Sequence, residues 1–567
     1  MRRQSLVSSR WRSFTAIFFL LPLSSVAIEP YMCPVAAPVS IPSCTAGRMK
    51  CPAVDGAMTF IGGQVSPWDG PVVEVRTPII DESTGEAAVI GKLAQMSEVD
   101  ALKALDAATL AWDEGQGEWP QMTLAERIDA VERFVAELKK SRGAIVDVLM
   151  WEICKNSADA AKEFDRTMDY VASSIASLKK SVGEGLGEWT TVSGTRAKVR
   201  RGPVGVNLML APFNYPLNEM YAMLIPSLLM GNVVVMKLPN IGGLAHVLTA
   251  GAFAAALPPG TVNFLTGSGR VTCTPVMASG KVDMLGFIGG SKAADALIGA
   301  HPFKHRLKVF SQLEGKNLGV VLPDADLEVA AAQCRDGATS YNGQRCTAIK
   351  LIMVHQAVAE AFLDKLTAAV GALKAGLPWE EGVMITPLPE PKKPAYLEEL
   401  IADAVGKGAD VINAAQGGGE MRGALFVPAI VYPVTPDMRI FHEEQFGPVI
   451  PVAAYDELNE VRTVLRKSWN GQQAAIFTTS PDGADAAGLV DTLSTIVGRV
   501  NINVQCSRSP DVFPFSGRRS SAMGTMSVSE ALRYFSIETV VAYRESDAIS
   551  ATAIKGIEAK SKFLAAI

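Results

Sequence analysis

The chain has 567 residues, a formal net charge of −5, 48% hydrophobic residues and 20% charged residues. This length and apolar content predict a large globular protein of two or three domains and exclude a disordered chain. With no Lys/Arg-rich block, the charge pattern argues against nucleic-acid binding and leaves room for a local basic pocket that holds an anionic metabolite.

The cysteines and histidines are too scattered for a metal site. The eight cysteines include no CxxC pair, and the five histidines offer one i,i+4 pair, His301 and His305, which encloses a proline. Neither a disulfide framework nor a structural zinc site is expected, so we predict no metal.

The first 56 residues resemble a targeting leader. Arginines 2, 3, 10 and 12 precede the apolar run Phe14 to Leu23 and the small-residue pattern Ser25-Val26-Ala27, which predicts a signal peptide over 1–27. Ten apolar residues are too few to span a bilayer, so no stable membrane anchor is expected. The Pro/Ala/Ser-rich segment 28–56 resembles a transit peptide. The chain would then follow the secretory route or reach a plastid through a two-part leader. A start assigned too early on a cytoplasmic enzyme is the alternative.

Next in the chain comes a mostly helical region, about 97–182, followed by an exposed hairpin over 186–203 with the sequence EWTTVSGTRAKVRRG. Exposed hairpins usually find a partner, and a late strand, IETVVAYR within 530–546, can pair with it across a subunit boundary. We therefore expect a homo-oligomer, a dimer or tetramer. Residues 547–567 are predicted to form a frayed helical tail.

From Val204 onward, β-branched runs alternate with segments of helical length, which is typical of an α/β protein. The strands VGVNLMLAP, NVVVMK, TVNFLTG and DMLGFIGG predict a Rossmann-type sheet, so residues 57–185 with 204–310 form a dinucleotide-binding domain. A second α/β series, with AIKLIMVH, AAIFTT and RVNINV, predicts another domain over 311–529.

Three motifs bring chemistry to this framework. Cys346 lies in YNGQRCTA before a strand, Asn214 lies in APFNYP at a strand's carboxyl end, and Glu444 and Phe446 lie in HEEQFGPV. With GQRCTA and CSRSPDVFPFSGRRSSAMGTMS, they resemble, from about 60 to 545, the aldehyde dehydrogenase superfamily and within it the non-phosphorylating, NADP-dependent glyceraldehyde-3-phosphate dehydrogenases.

That resemblance implies an aldehyde dehydrogenase fold with cofactor domain, catalytic domain and small β extension, and gives each motif a role. The Cys346 thiolate would attack an aldehyde, and the Asn214 amide with the Cys346 backbone N–H would hold the oxyanion. Glu444 would bind the nicotinamide ribose and Phe446 would pack by its ring. The remaining residues expected near the cofactor are Pro212, Gly267, Gly289 and Gly290.

The residues at the end of the second strand of the first sheet bear on whether the cofactor is NAD or NADP. It ends in KLPN, so Lys237 and Asn240 stand where an acid ordinarily binds a free ribose 2′-hydroxyl. These residues leave room for a 2′-phosphate and favour NADP, with NAD as the alternative.

A phosphorylated aldehyde is the substrate that the resemblance implies. Arg345, Arg508 and the Tyr215 hydroxyl would clamp its phosphate. The family adds an arginine from the helical region, and the approximate alignment reaches Lys179 or Lys180 there.

The family's base is missing. Its glutamate, which activates the water that hydrolyses the thioester, stands 34 residues before the cysteine, and 346 − 34 gives Gln312, in SQLEGKN. An amide cannot accept a proton. Three alternatives follow: an active dehydrogenase in which Glu314 or another acid is the base, an acylating enzyme that releases its product to coenzyme A or phosphate, and a pseudoenzyme with a structural role.

Overall fold

The computed structural model describes residues 50–80, 84–183 and 187–564. The predicted signal peptide and most of the segment 28–56 lie outside these residues. Within the described ranges, no helix is long and apolar enough to cross a membrane.

The strands, in chain order, are β1 (Val54–Gly56), β2 (Met58–Ile61), β3 (Gln64–Pro67), β4 (Val72–Ile80), β5 (Ala87–Ala94), β6 (Trp189–Val192), β7 (Thr195–Pro203), β8 (Val206–Leu210), β9 (Val233–Lys237), β10 (Val262–Leu265), β11 (Met284–Ile288), β12 (Lys308–Gln312), β13 (Asn317–Val321), β14 (Ile349–His355), β15 (Asp410–Val411), β16 (Met421–Arg422), β17 (Leu425–Phe426), β18 (Ala429–Tyr432), β19 (Val449–Tyr455), β20 (Asn470–Gly471), β21 (Gln473–Phe477), β22 (Arg499–Ile502), β23 (Arg518–Arg519), β24 (Ala522–Met523) and β25 (Ser536–Arg544).

The helices are α1 (Glu98–Trp112), α2 (Glu118–Gln121), α3 (Leu124–Lys139), α4 (Arg142–Glu152), α5 (Ser157–Gly183), α6 (Pro216–Leu229), α7 (Leu244–Val247), α8 (Ala250–Ala256), α9 (Gly269–Ala278), α10 (Ser291–Ala300), α11 (Leu327–Thr339), α12 (Ala359–Gly371), α13 (Lys393–Gly406), α14 (Arg439–His442), α15 (Leu458–Lys467), α16 (Ala484–Leu493), α17 (Val528–Tyr534) and α18 (Ala548–Lys560).

The first large sheet has the order β10-β9-β8-β11-β12-β24, and its first five strands are parallel. The strands predicted from the four apolar runs are confirmed as β8 to β11. These strands are buried at every position except Leu210 at the end of β8, as expected for parallel strands covered on both faces. The predicted domain boundary at 310/311 falls inside β12, so Ser311 and Gln312 belong to this sheet.

The second large sheet has the order β15-β18-β19-β14-β13-β21-β22, with all neighbours parallel except β15 and β18. It is the predicted second α/β series. Its core includes Val320, Met353 and Ile476, which are packed in one apolar cluster. The two sheets together give the α/β architecture that the sequence predicts.

The third sheet, β25-β7-β6, contains the predicted hairpin. The late strand β25 pairs with β7 of the same chain, from Ser536 opposite Pro203 to Arg544 opposite Thr195. Pairing across a subunit boundary is therefore corrected to pairing within the chain, since the return of α17 brings β25 alongside β7. The tail forms α18, whose Glu558 binds the Trp189 indole and the Lys198 ammonium.

Candidate active site

The candidate site lies where the carboxyl ends of parallel strands meet, as expected for open α/β sheets. Asn214 follows β8, Gln312 ends β12, and both strands flank β11. Cys346 follows a short 3-10 turn, Ser340–Gly343, and precedes β14 of the second sheet. The nucleophile therefore lies between the two sheets.

Two cavities meet at Cys346. The wide cleft, of about 700 Å³, is lined by Pro212, Asn214, Gly289, Gly290, Gln312, Glu314, Glu444 and Phe446 among others. The arginine pocket, of about 350 Å³, is lined by Lys162, Arg166, Tyr215, Arg345 and Arg508 among others. Among the described lining residues, Cys346 and Glu219 alone belong to both cavities.

Cys346 is a thiol in the free protein. Its pKa is raised to about 11, chiefly by burial and also by the negative charge of Glu219, while the positive charge of Lys350 opposes the rise. Its carbonyl accepts hydrogen bonds from Asn317 Nδ2 at 2.7 Å and from Lys350 Nζ at 2.9 Å. Its backbone N–H meets no acceptor among the described residues and is free to donate to an oxyanion.

Asn214 is buried and held in place. Its side-chain Nδ2 donates to the main-chain carbonyl of Gln344 at 2.8 Å. The main-chain carbonyl of Asn214 accepts from Lys155 Nζ, also at 2.8 Å. Lys155 is in turn paired with the fully buried Glu163. Because an amide nitrogen carries two hydrogens, the second hydrogen of Asn214 is available to the wide cleft.

Gln312 is 2% exposed and lines the wide cleft. Neither its Nε2 nor its Oε1 has a hydrogen-bond partner in the described parts of the chain. A buried amide left without partners is costly, and a water or a substrate atom in the cleft is the partner that would satisfy it.

The side chain of Glu314, which follows β12, contacts the N-terminus of α10. Its Oε1 accepts from Ser291 N at 2.7 Å and from Ser291 Oγ at 3.1 Å. A carboxylate is favoured there by the helix dipole. Its role as a replacement base stays a prediction, although this contact commits its carboxylate to the helix.

Glu444 and Phe446 lie in the wide cleft as predicted. Glu444 Oε1 binds Lys350 Nζ and accepts from Gly315 N at 3.1 Å. The Phe446 ring packs edge-on against Phe213, with centroids 6.0 Å apart. The ion pair with Lys350 thus fixes the Glu444 carboxylate beside Cys346.

The cofactor residues fit a dinucleotide at the sheet's carboxyl edge. Lys237 ends β9, is buried, and bonds the Leu238 carbonyl and Asn240 Oδ1, the latter at 3.4 Å. Burial lowers the pKa of the Lys237 ammonium, and no described acid is paired with it, so a ligand anion would relieve its isolation. Gly267, after β10, has a φ of +88°, which few other residues adopt.

Gly290 and Glu314 lie where a bound dinucleotide would have less room. A Cβ at Gly290 would lie 3.3 Å from Glu314 Oε1, so the glycine leaves open a space that the carboxylate enters. The N-terminus of α10 is the place where a dinucleotide's anionic phosphates would be favoured. Glu314 therefore competes for the position that a pyrophosphate needs.

Arg345 and Arg508 both line the arginine pocket. Arg508 contacts Glu219 at 2.9 Å and Asp511 at 3.0 Å, and its Nη2 has no hydrogen-bond partner among the described residues. Arg345 forms no ion pair in the described ranges. Its Nη2 donates to the Asp336, Gly337 and Gln505 oxygens.

Tyr215 completes this wall of the pocket. Burial raises the pKa of its hydroxyl above the ordinary value, so the group stays protonated and can donate to an anion. The Lys155 ammonium lies 3.5 Å from the centre of the Tyr215 ring, which holds the ring in place through a cation–π contact.

The third arginine is Arg166, and the prediction of Lys179 is corrected. Lys179 is half exposed, lies 3.6 Å from Glu132 and lines neither cavity. It follows Arg166 by 179 − 166 = 13 residues, which places it roughly 20 Å further along α5. Arg166 and Lys162, one turn apart on α5, line the pocket instead, and Arg166 grips Asp511 with bonds of 2.8 and 2.7 Å.

Comparison with known proteins shows which family the chain resembles. The aldehyde dehydrogenase family profile matches residues 73–541. The chain belongs to the aldehyde dehydrogenase family. An NADP-dependent glyceraldehyde-3-phosphate dehydrogenase of Streptococcus equinus is 34% identical over 81% of this chain and 93% of its own length. The pea (Pisum sativum) enzyme of the same name is 32% identical over 78% of this chain and 87% of its own.

A solved structure is similar across the same region. It is the NADP-dependent glyceraldehyde-3-phosphate dehydrogenase of Bacillus halodurans, complexed with NADP, with 31% identity and a TM-score of 0.78 over 87% of this chain and all of that one. This aldehyde dehydrogenase thus has relatives that match it well beyond the catalytic motifs.

Sequence reasoning missed three site residues of this aldehyde dehydrogenase: Arg166, Glu219 and Lys350. Arg166 could have been found by placing Lys162 and Arg166 on one helical face. Glu219 had a signal as well, since it follows the NYP motif in the first turn of a helix whose every residue is buried. Lys350 gave none, because its ammonium reaches Glu444 only through the fold.

Proposed function

We propose that this aldehyde dehydrogenase oxidises glyceraldehyde 3-phosphate, or a closely similar phosphorylated aldehyde, to the corresponding acid with NADP. The observation that supports this proposal is the arginine pocket, whose lining includes Arg166, Arg345, Arg508 and Tyr215 together with Cys346. Guanidinium forks match phosphate geometry, and three of them lining one pocket favour an anionic over an uncharged substrate. The printed names of the relatives agree with this substrate.

NADP is the cofactor in this proposal. Lys237 offers a buried positive charge for a 2′-phosphate, and Asn240 beside it adds no competing negative charge. When bound, NADP supplies the acceptor for the hydride that leaves the substrate carbon. NAD would leave the Lys237 charge without a ligand, so weaker binding of NAD is expected.

The first chemical step depends on Cys346 and Asn214. The Cys346 sulfur bonds the aldehyde carbon, and the second amide hydrogen of Asn214 with the Cys346 N–H stabilises the oxyanion. Lys350 favours the thiolate because its positive charge lowers the pKa of Cys346. Loss of hydride then leaves a thioester on the cysteine.

The second step, release of the acid, is where this chain departs from its family. Gln312 has an amide where the family has a carboxylate, so a water there would be held but not deprotonated. This substitution favours a second candidate function, in which coenzyme A or phosphate takes the acyl group. A pseudoenzyme would form no thioester at all.

One kinetic experiment separates these functions. Purified protein is mixed with NADP and glyceraldehyde 3-phosphate, and NADPH is followed from milliseconds to minutes. Sustained turnover supports hydrolysis, and a burst of one NADPH per subunit that turns over only with coenzyme A or phosphate supports acyl transfer. The absence of any burst contradicts both. Unphosphorylated glyceraldehyde is the matched substrate, and equal kcat/KM for the two aldehydes would contradict the role of the arginines.

We also propose that the enzyme is a homo-oligomer, a dimer or tetramer. Val192, Ile537 and Val540 are exposed on the third sheet, and β6 and β25 are open sheet edges. Open edges with apolar side chains favour association. Sedimentation of the purified protein as a monomer at micromolar concentration would contradict this.

A further inference from the structure

We infer that Glu219 is the general base that activates the deacylating water, in place of the carboxylate that position 312 lacks. The inference rests on the proposed thioester chemistry. It adds a catalytic residue to that reaction, because Glu219 lines both of the cavities that Cys346 lines.

Position is the first argument. Glu219 and Cys346 are the two described residues shared by the wide cleft and the arginine pocket. Glu219 lies in the first turn of α6, five residues after Asn214, so the helix that follows the oxyanion residue carries the acid back to the same opening. A base must reach a water beside the acyl carbon, and this junction is where an acyl group on Cys346 would lie.

The ion pair with Arg508 is the second argument. Arg508 Nη1 lies 2.9 Å from Glu219 Oε1, and both side chains are nearly buried. A charge-assisted contact of this kind is strong, so the arginine holds Glu219 Oε1 in a fixed position. Glu219 Oε2 has no hydrogen-bond partner among the described residues, so one oxygen is held by the arginine while the other can receive a water.

The third argument is electrostatic cost. The charge of Glu219 raises the pKa of Cys346 and so opposes formation of the thiolate. An acid that hinders the first step is expected only where it serves another. Once the thioester has formed, the sulfur carries no charge and no longer repels the Glu219 carboxylate. The carboxylate can then accept a proton from water.

Glu219 takes a proton from water while the water oxygen bonds the thioester carbonyl carbon, with Asn214 and the Cys346 N–H holding the oxyanion. The carbon–sulfur bond then breaks, the acid is released, and Cys346 leaves as a thiolate that recovers the proton from Glu219. The Gln312 amide, which lacks a partner, orients this water without accepting its proton.

A cofactor-free measurement tests the inference separately from the identity of the aldehyde. The protein is acetylated with p-nitrophenyl acetate, freed of reagent by gel filtration, and the acetyl group on Cys346 is followed by mass spectrometry. Loss of a general base costs ~100- to 10,000-fold in rate. The Glu219→Gln variant should therefore lose its acetyl group at least about 100-fold more slowly than the unsubstituted protein.

Three controls separate a base from a structural residue. Glu132→Gln removes a surface acid on α3 and should leave deacylation unchanged. Hydroxylamine, a nucleophile that needs no base, should clear the acetyl group from Glu219→Gln as fast as from the unsubstituted protein. Adding Gln312→Glu to Glu219→Gln should restore hydrolysis, because it returns a carboxylate to the cleft.

The acidity of Cys346 gives a second readout. Because the Glu219 charge disfavours the thiolate, Glu219→Gln should move the pH profile of iodoacetamide alkylation of Cys346 to lower pH.

The outcomes are distinct. Normal hydrolysis in Glu219→Gln overturns the inference, and so does a hydroxylamine rate that falls as far as the water rate, since that indicates a distorted site. Either result leaves the proposed substrate intact. Failure of the unsubstituted protein to give an NADPH burst with glyceraldehyde 3-phosphate overturns the proposed function instead. Failure of Cys346 to acetylate at all contradicts both.

Discussion

The two cavities that Cys346 lines differ in how closely their residues match those that the family resemblance predicts. The arginine pocket has all the cations that the family resemblance predicts, with Arg166 in place of the expected Lys179. The wide cleft has two departures: Gln312 carries an amide, which cannot accept a proton, and the Glu314 carboxylate occupies the N-terminus of α10.

In the proposed reaction, this difference separates substrate recognition from product release. Recognition would depend on charges in the arginine pocket, where Asp511 fixes Arg166 and Arg508. Release depends on one proton acceptor, whose position can move to another wall provided that it still reaches the thioester. Glu219, which faces both cavities, is the residue that would link them.

The largest expected effect comes from the side-chain donor to the oxyanion in the wide cleft. Asn214→Ala removes the side-chain donor to the oxyanion, and loss of one such donor costs ~100- to 1,000-fold in kcat. The NADPH burst rate measures this step directly. A burst within a few-fold of that of the unsubstituted protein would show that Asn214 only supports the loop through Gln344.

The next largest effect is expected from a substitution in the arginine pocket. Arg345→Ala removes an arginine that has no ion pair in the described residues, and one charge-assisted hydrogen bond is worth roughly 1.5–3 kcal/mol, so kcat/KM for glyceraldehyde 3-phosphate should fall about 10- to 150-fold. The value for unphosphorylated glyceraldehyde should hardly change. Lys179→Ala is the matched control and should alter neither, because Lys179 lies away from both cavities.

A smaller effect, with the opposite sign, is expected in the wide cleft. Glu314→Gly removes a carboxylate from the N-terminus of α10 and should tighten NADP binding by about tenfold, since charge at a helix N-terminus is worth up to ~2 kcal/mol. Calorimetry gives the Kd directly. Glu314→Gln, which removes the charge and keeps a hydrogen-bonding group, should give part of the gain, and an unchanged Kd in both would show that no phosphate binds there.

The smallest effect concerns Cys346 itself. With its pKa raised to about 11 by burial, the free thiol should react with iodoacetamide about tenfold faster for each pH unit, up to about pH 11. A plateau below pH 8 would show that the thiolate already predominates in the free protein, contrary to the burial of the site.

Much of the fold could be predicted because parallel strands buried on both faces leave a plain pattern. The runs that became β8 to β11 needed no long-range information. The boundary inside β12 could not be placed, since Ser311 and Gln312 join the first sheet by pairing with Phe287 and Ile288, and nothing in a local window records that pairing. The register of β25 on β7 is non-local in the same way.

The candidate site shows the same division. Cys346, Asn214 and Gln312 lie in motifs whose spacing can be counted, and the structure brings them to one cleft. Glu219 and Arg166 lie on helices, where their roles depend on which face meets the cavity. An approximate alignment across α5 reached Lys179 because a helical region without a fixed motif has no internal marker of register.

The most direct test of the central claim is to trap the thioester. Protein mixed with NADP and glyceraldehyde 3-phosphate is quenched in acid during the first turnover, and the peptide that contains Cys346 is examined by mass spectrometry. The account predicts a phosphoglyceroyl thioester on Cys346 that forms together with NADPH, and a longer-lived one in Glu219→Gln. NADPH formed without any adduct on Cys346 in either protein would contradict it.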